Sequence, residues 1–400
     1  MKKLIRNYDV PILITVLLLC LFGLVMVYSA SSIVAPSIYH FDSDFFFQKQ
    51  KTSMIIGLLA MVIAMIFPYK AYRTDLFLII TTIGITLFLL LTFFLGHTSG
   101  NAQSWLMLGS RAIQPSEFAK LVIIIYLSAI FSKRQNKINK IGKAILPPII
   151  LLVMICFLIV IQPDYGTAGI IFLIALTLFV SSGMSLKTLF KLILLTAICV
   201  SVLFLFITIT GNFSKVFSEE RVSRFSSLSN PFIDENDSGY QLVNSYIAIG
   251  SGGIAGNGLG SSIQKYGYLP EPHTDFILAI ISEELGLVGV LFTLGGLGFI
   301  VLRGLLLAGR CKDPFGSLLI LGISSMIGIQ TIINAGGVVG FLPITGITLP
   351  FISYGGSSLL LLLLSMGILQ NVIANYNYTS RKNQNKTVKS TKIHASNQLV

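Results

Sequence analysis

Residues 270–275 read Pro270-Glu271-Pro272-His273-Thr274-Asp275, and from Phe276 an apolar run free of basic residues continues past Val301. At ~1.5 Å per residue, such a run is long enough to cross the ~30 Å hydrocarbon core of a bilayer as a helix. The stretch therefore predicts a membrane span with an acid at its boundary. A carboxylate there can stay ionised on the watery side while leaning over the hydrocarbon, where a lipid-linked substrate presents its polar head. Helix capping by Thr274 or Asp275 accounts for the same acid in purely structural terms.

The pattern repeats along the chain. Its 400 residues are 54% hydrophobic and only 11% charged, against ~25% charged in a soluble domain. Mean hydropathy is +0.83. An all-α polytopic membrane protein is expected, with ten spans: Val10–Ala30, Thr52–Pro68, Asp75–Leu95, Ser116–Phe131, Ala144–Ile161, Tyr165–Ser182, Thr188–Thr210, Asp275–Leu307, Phe315–Phe341 and Phe351–Tyr376. The first span reads as a signal anchor rather than a cleaved signal peptide.

A net charge of +12 would point to nucleic acid in a soluble protein, but here the charge is sorted by side. Lys2, Lys3, Arg6, Lys70, Arg73, the basic cluster 133–143, Lys187, Arg303, Arg310 and the lysines of the tail alternate with segments holding far fewer basic residues. Both termini are thus expected in the cytoplasm and Asp275 outside, with no nucleic-acid partner. Cys20, Cys156, Cys199 and Cys311 show no paired spacing, so neither a disulfide framework nor a zinc site is expected. Residues 1–375 form the membrane domain, and 376–400 read as a disordered basic cytoplasmic tail.

The long connection 211–274 falls outside by the charge rule, and long loops tend to carry function. Its stretch Val216–Leu228, with Arg221 and Arg224, is amphipathic, and Gly239–Ile249 reads as a short helix near the mouth of the bundle. The glycine-rich run 250–260 lacks the Lys-Ser/Thr ending of a nucleotide-binding loop. Its glycines suit close backbone approach or a hinge, or amides that contact an anion.

Charged residues inside spans are costly and therefore functional candidates. Glu117 and Lys120 share one helical face at i, i+3, as an internal ion pair or as separate substrate contacts. Asp164, in the turn 162–167, fits a helix cap. Glu283 falls ~80° from Asp275 around the helix and Glu284 on the opposite side, making Glu283 the cavity candidate, with a helix-to-helix hydrogen bond as its alternative. Two prolines and three glycines among the hydroxyl residues of 342–358, Ser357 included, predict broken backbone that lines a cavity or forms a structural hairpin.

Several segments together resemble one family: Val27-Tyr28-Ser29-Ala30-Ser31, residues 114–120 from Gln114 to Lys120, residues 162–167 from Gln162 to Thr167, residues 270–276, and residues 342–358. In this order they resemble the SEDS proteins of shape, elongation, division and sporulation, over residues 8–375. The resemblance implies a ten-helix peptidoglycan glycosyltransferase that polymerises lipid II at the outer face of the cytoplasmic membrane. It implies a class B penicillin-binding transpeptidase and other division proteins as partners. Residues 239–245 and 264–270 are more similar to the division branch, FtsW, than to the elongation branch, RodA, so enrichment at the septum is expected. Asp275 stands where the family has its essential acid. Two departures are Gln103-Ser104-Trp105, where basic residues often precede the tryptophan, and Thr348, where proline is common.

The implied reaction casts Asp275 as general base and Lys49, Arg111, Lys120 and Arg221 as candidate cations for the departing pyrophosphate, with Glu117, His273, Glu283 and Ser357 as further substrate contacts. Mg²⁺ or another divalent cation is a candidate companion of the pyrophosphate, without an all-protein ligand cage in the sequence, and no organic cofactor is expected. A lipid II flippase and a noncatalytic scaffold are the competing readings. A flippase needs access from both faces, whereas the long loop and the acid both fall outside.

Overall fold

The computed structural model describes residues 7–99, 102–109, 111–135, 146–185, 187–188, 190–191, 231–233 and 239–397. Its longer helices are α1 (Val10–Ser31), α2 (Phe45–Ile66), α3 (Asp75–Leu95), α4 (Pro115–Lys133), α5 (Leu146–Ile161), α6 (Tyr165–Ser181), α7 (Tyr240–Gly252), α8 (Ile277–Arg310), α9 (Pro314–Val338) and α10 (Gly356–Asn397). The expectation of ten spans is corrected. Among the described residues, seven helices are long and apolar enough to cross a membrane: α1 to α4 and α8 to α10.

Two of the expected spans, α5 and α6, have only 16 and 17 residues. At ~1.5 Å per residue they reach about 24–26 Å, short of a ~30 Å hydrocarbon core. Leu146 is also the first described residue of its segment, and Gly183, with φ 83, follows the end of α6. The third, Thr188–Thr210, lies outside the described residues apart from its first few positions, as does the amphipathic stretch Val216–Leu228.

Local chemistry sets several helix starts. Asp9, Asp164 and Asp313 cap α1, α6 and α9, each carboxylate accepting from the amide three residues on, at 3.2, 3.1 and 3.0 Å. Helix α2 begins at Phe45 rather than near Thr52 because its polar first turns are satisfied. Gln50, buried, donates to Ser353 O at 3.0 Å and accepts from Gly355 N at 3.2 Å. The ammonium groups of Lys49 and Lys51 lie 4.3 and 5.7 Å from the ring centres of Phe45 and Phe47.

Helix α10 packs along α2, α8 along α9, and α4 against α6 and α9. At the α2–α10 crossing Gly367 meets the Met61 backbone, where a Cβ would collide with the Met61 carbonyl. Small residues allow this kind of close approach between membrane helices, which packing rather than hydrophobicity holds together. Large apolar side chains such as Ile79, Phe94 and Leu302 are exposed, as a lipid-facing surface requires.

Three features depart from the sequence reading. Residues 97–113 hold a small antiparallel sheet, β1 (His97–Ser99), β2 (Ala102–Leu108) and β3 (Arg111–Ile113), with Trp105 opposite His97 and Met107 opposite Ala112. Helix α10 runs on to Asn397, through the polar tail that composition assigns to disorder. An existing helix gains one hydrogen bond per added residue, so it propagates more readily than it starts. Helix α8 is broken at Gly286, whose φ of 62° and ψ of −156° are not helical. The expected helix near 239–249 is present as α7, and Ser245 Oγ docks it on the end of α9 by donating to Val338 O at 2.8 Å.

Candidate active site

At the loop end of the bundle the irregular segment 339–355 joins α9 to α10. Its backbone groups are met by side chains and loops, the condition under which nonhelical chain is tolerated at a membrane boundary. Leu349 N donates to Ser353 Oγ at 2.9 Å, and Tyr354 N to His273 O at 2.9 Å. Asn334, on α9 and 4% exposed, donates through Nδ2 to both Asp275 O at 2.7 Å and Ile347 O at 2.8 Å. One amide thus ties the chain at Asp275 to the broken segment.

Asp275 is half-buried and lines a small open recess with Asn334, Gly337, Thr345, Gly346 and Ile347. Thr274 Oγ1 donates to its Oδ1 at 2.9 Å. Phe276, rather than Asp275, is the residue immediately before α8, and no side-chain capping bond is made there. The α5–α6 turn packs on the wall of this recess, since Gly166 lies against Thr345, where an added Cβ would stand 3.0 Å from the Thr345 carbonyl.

That turn links to the remaining sites. Asp164, besides capping α6, accepts from Gln114 Nε2 at 3.0 Å and Ser116 Oγ at 2.9 Å. Gln114 N donates in turn to Ser357 Oγ at 3.1 Å. Hydrogen bonds thus join Asp275 through Asn334 to Ile347, and Asp164 through Gln114 to Ser357, with Gly166 packed on Thr345 between the two sets. Within α4, just past Gln114, Lys120 Nζ and Glu117 Oε1 are 2.7 Å apart. Both are buried, and Glu117 Oε2 has no hydrogen-bond partner among the described residues.

The other expected residues separate. Lys49 is exposed, with its ammonium over the Phe45 ring. Arg111 opens β3 opposite Leu108, and Arg221 lies outside the described residues. Glu283 does not face the recess but binds the loop 262–264, accepting from Ile263 N at 2.8 Å. The glycine-rich run binds no anion with the amides of 256–258, since these donate to Gly252 O, Glu283 O and Glu284 O.

His273 is 2% exposed within an aromatic cage, its ring centre 4.3 Å from that of Phe46, 5.6 Å from Tyr354 and 6.4 Å from Tyr39. Its Nδ1 has no partner among the described residues. Burial lowers its pKa to about 4, partly opposed by the Glu271 carboxylate. Glu271 is held by Tyr39, whose hydroxyl donates to Oε1 at 2.8 Å and is itself pushed up to about 12 by burial and that carboxylate.

A histidine kept neutral in the fold but free to protonate when unfolded favours the fold above its ordinary pKa of ~6.5. That contribution is lost as pH falls from about 6.5 through about 4. His273→Gln should accordingly show a smaller drop in thermal midpoint than wild type between pH 7 and pH 4.5. Equal drops for the two proteins would mean that the imidazole does not bear that burial cost.

Sequence reasoning missed Asn334, Gln50 and Lys265. Lys265 reads as an ordinary loop lysine, whereas Asn334 and Gln50 are legible as uncharged polar residues within apolar runs. They escaped because only charges inside spans were treated as costly, although an unpaired amide in hydrocarbon also carries a penalty.

The family model for the FtsW, RodA and SpoVE cell cycle proteins matches residues 10–378. The chain is 51% identical over 384 residues to the probable peptidoglycan glycosyltransferase FtsW of Bacillus subtilis (strain 168), covering 96% of this chain and 94% of that protein. Its fold is similar to a chain from a structure on the coordination of polymerization and crosslinking by a peptidoglycan synthase complex, with TM-score 0.70, 25% identity, and 92% and 98% of the two chains covered. It is also similar to the crystal structure of the rod shape determining protein RodA of Thermus thermophilus, with TM-score 0.65, 24% identity, and 92% and 97% covered. With the family's sequence pattern spanning nearly the whole bundle and the broken loop end that carries Asp275, the chain belongs to the FtsW/RodA/SpoVE family of cell cycle proteins.

Proposed function

We propose that this protein is a peptidoglycan glycosyltransferase that polymerises lipid II, with Asp275 as the general base. The activity class follows from family membership and from the extent of similarity to the Bacillus subtilis protein. The observation that carries the residue assignment is a half-buried carboxylate at the loop end of the bundle, held by Thr274 and opening on a recess. It can reach a sugar hydroxyl without entering the hydrocarbon.

In the proposed step the 4-hydroxyl oxygen of a GlcNAc acceptor attacks the anomeric carbon of the MurNAc donor. The new C–O bond forms as the bond to pyrophosphate breaks, with inversion at the anomeric carbon. The hydroxyl proton passes to the Asp275 carboxylate, and the electron pair of the broken bond leaves with undecaprenyl pyrophosphate. Cations near the leaving group stabilise that charge as it develops. Lys120, whose ammonium is paired with Glu117, is the candidate carried from within a span, with Lys49, Arg111 and Arg221 as further candidates from the sequence.

Among the described residues no group of three or more His, Cys, Asp or Glu side chains could hold a metal ion. A divalent ion, where present, would enter as the counter-ion of the pyrophosphate. The positions of the basic residues support a cytoplasmic location for both termini and an outward-facing site. The similarity to a chain of a synthase complex supports a class B penicillin-binding transpeptidase as partner. The identity with a protein of the division branch supports work at the septum.

The test is to supply lipid II to the purified full chain with its transpeptidase partner and resolve the products by length. Glycan polymer is the expected product. Lipid II carried across a vesicle bilayer with no polymer formed would replace this reading with transport.

A further inference from the structure

Helix α8 is two helices in line, and a loop is spliced between them. In an unbroken helix the carbonyls of Glu283 and Glu284 would receive the amides of Leu287 and Val288. Instead Asn257 N donates to Glu283 O and Gly258 N to Glu284 O, both at 2.9 Å, while Leu287 N donates to Gly253 O at 3.1 Å. The splice needs glycine at Gly286, where φ is 62° and a Cβ would strike the Ile254 carbonyl and the Gly256 amide.

The same loop is fastened a second time by the two acids before the break. Glu283, 1% exposed, accepts from Ile263 N at 2.8 Å and from Ser262 Oγ. Glu284, fully buried, pairs with Lys265 Nζ at 2.8 Å and accepts from Ser29 Oγ at 2.7 Å. Lys265 Nζ also donates to Ser29 at 3.2 Å. The triad joins the loop, the outer half of α8 and α1, and it accounts for Ser29 in the segment 27–31 that the catalytic step leaves unused.

Burying a charge pair is expensive, and apolar side chains of similar size would hold the loop as firmly. What the pair adds is a single permitted geometry. The outer half of α8, Ile277–Leu285, starts two residues after Asp275 and ends at the break. It is not held by continuous helical rungs from below. Besides its buried packing, the polar contacts that hold it include Asn334 at Asp275 O, the loop amides at its lower end, Glu283 at the 262–264 loop, and the triad. Asp275 and Glu284 lie about 14 Å apart along it at ~1.5 Å per residue.

We infer that Lys265 and Glu284 are positioning residues for Asp275: their buried pair, completed by Ser29, sets the height and rotation of the half-helix and so the aim of the carboxylate. The inference rests on Asp275 acting as the base. Removing one partner leaves the other as an uncompensated buried charge, and relaxation shifts either the loop or the half-helix. A misplacement of about 1 Å can cost ~10²-fold in rate.

The experiment measures kcat and KM for lipid II with the full chain and its transpeptidase partner, normalised to folded protein by size-exclusion elution and thermal midpoint. Lys265→Met and Glu284→Gln are each expected to lower kcat by about 10²-fold with KM within about twofold of wild type. The double variant, which buries no charge, is expected to recover most of that loss. A double variant no better than either single one, or a loss confined to KM, overturns the inference. If the single variants do not fold, Ser29→Ala decides, because it keeps both charges. It should lower kcat severalfold at unchanged KM, and an unchanged kcat overturns the inference. Asp275→Asn in the same assay separates the two levels: if it stays active the base assignment fails, whereas inactive Asp275→Asn beside fully active triad variants removes only the positioning role.

Discussion

Asp275→Asn should lower lipid II polymerisation by ~10²–10⁴-fold, the range expected for loss of a positioned general base, while leaving the protein folded. Two of its contacts survive the substitution. Asparagine has the size of aspartate, and its side-chain oxygen can still accept from Thr274 Oγ1, now at 2.9 Å from Asp275 Oδ1. The bond from Asn334 reaches the backbone carbonyl of residue 275 and does not depend on the side chain. What disappears is an oxygen able to take up the acceptor proton near neutral pH. The measurement is glycan length and initial rate from lipid II, at matched amounts of folded protein bound to the transpeptidase. Polymerisation at more than about a tenth of the wild-type rate would be incompatible with Asp275 as the base.

The parts of this site that could be read from the sequence are those where one residue breaks a strong local rule. Asp275 before a long apolar run, Glu117 and Lys120 three residues apart in a span, and broken backbone in 342–358 each violate the expectation for lipid-embedded chain. In the fold the acid lies two residues before α8, the pair closes at 2.7 Å, and the irregular segment borders the recess. The break in α8 was not legible. Residues 283–287 read as ordinary helix, since one glycine inside a helical pattern is tolerated. Gly286 becomes a break only because a loop about 30 residues earlier donates its amides to the helix carbonyls. The angle of ~80° placing Glu283 near Asp275 assumed a free helix surface, and the same loop occupies it. The count of spans failed for a different reason. Hydropathy registers apolar runs, whereas the described helices α5 and α6 have 16 and 17 residues, Gly183 following the end of α6, and most of 188–210 lies outside the described residues. Lys265 escaped because a lysine in a loop reads as solvated, and its burial depends on Glu284 and Ser29 being brought to it.

Lys120→Met should be nearly as damaging as Asp275→Asn, and the way it fails distinguishes a structural pair from a substrate contact. Lys120 is 1% exposed and its ammonium lies 2.7 Å from Glu117, itself 7% exposed. Removing one member of a buried pair costs ~3–5 kcal/mol, because the remaining charge loses its compensation. The single variant is therefore expected to lose both thermal stability and polymerisation. In Glu117→Gln combined with Lys120→Met no buried charge remains, so a fold held only by the pair should recover both properties. We expect it to recover stability alone, with polymerisation still down by at least ~10²-fold, because the ammonium proposed to meet the pyrophosphate is absent. Among the described residues Glu117 Oε2 has no partner, so the pair leaves a buried acceptor open to a donor group. This pattern is the reverse of that expected for Lys265 and Glu284, where neutralising both members restores the rate because neither touches substrate. Thermal midpoints and polymerisation rates of the single and double variants at both sites, measured side by side, would separate a charge that holds the site from a charge that acts in it.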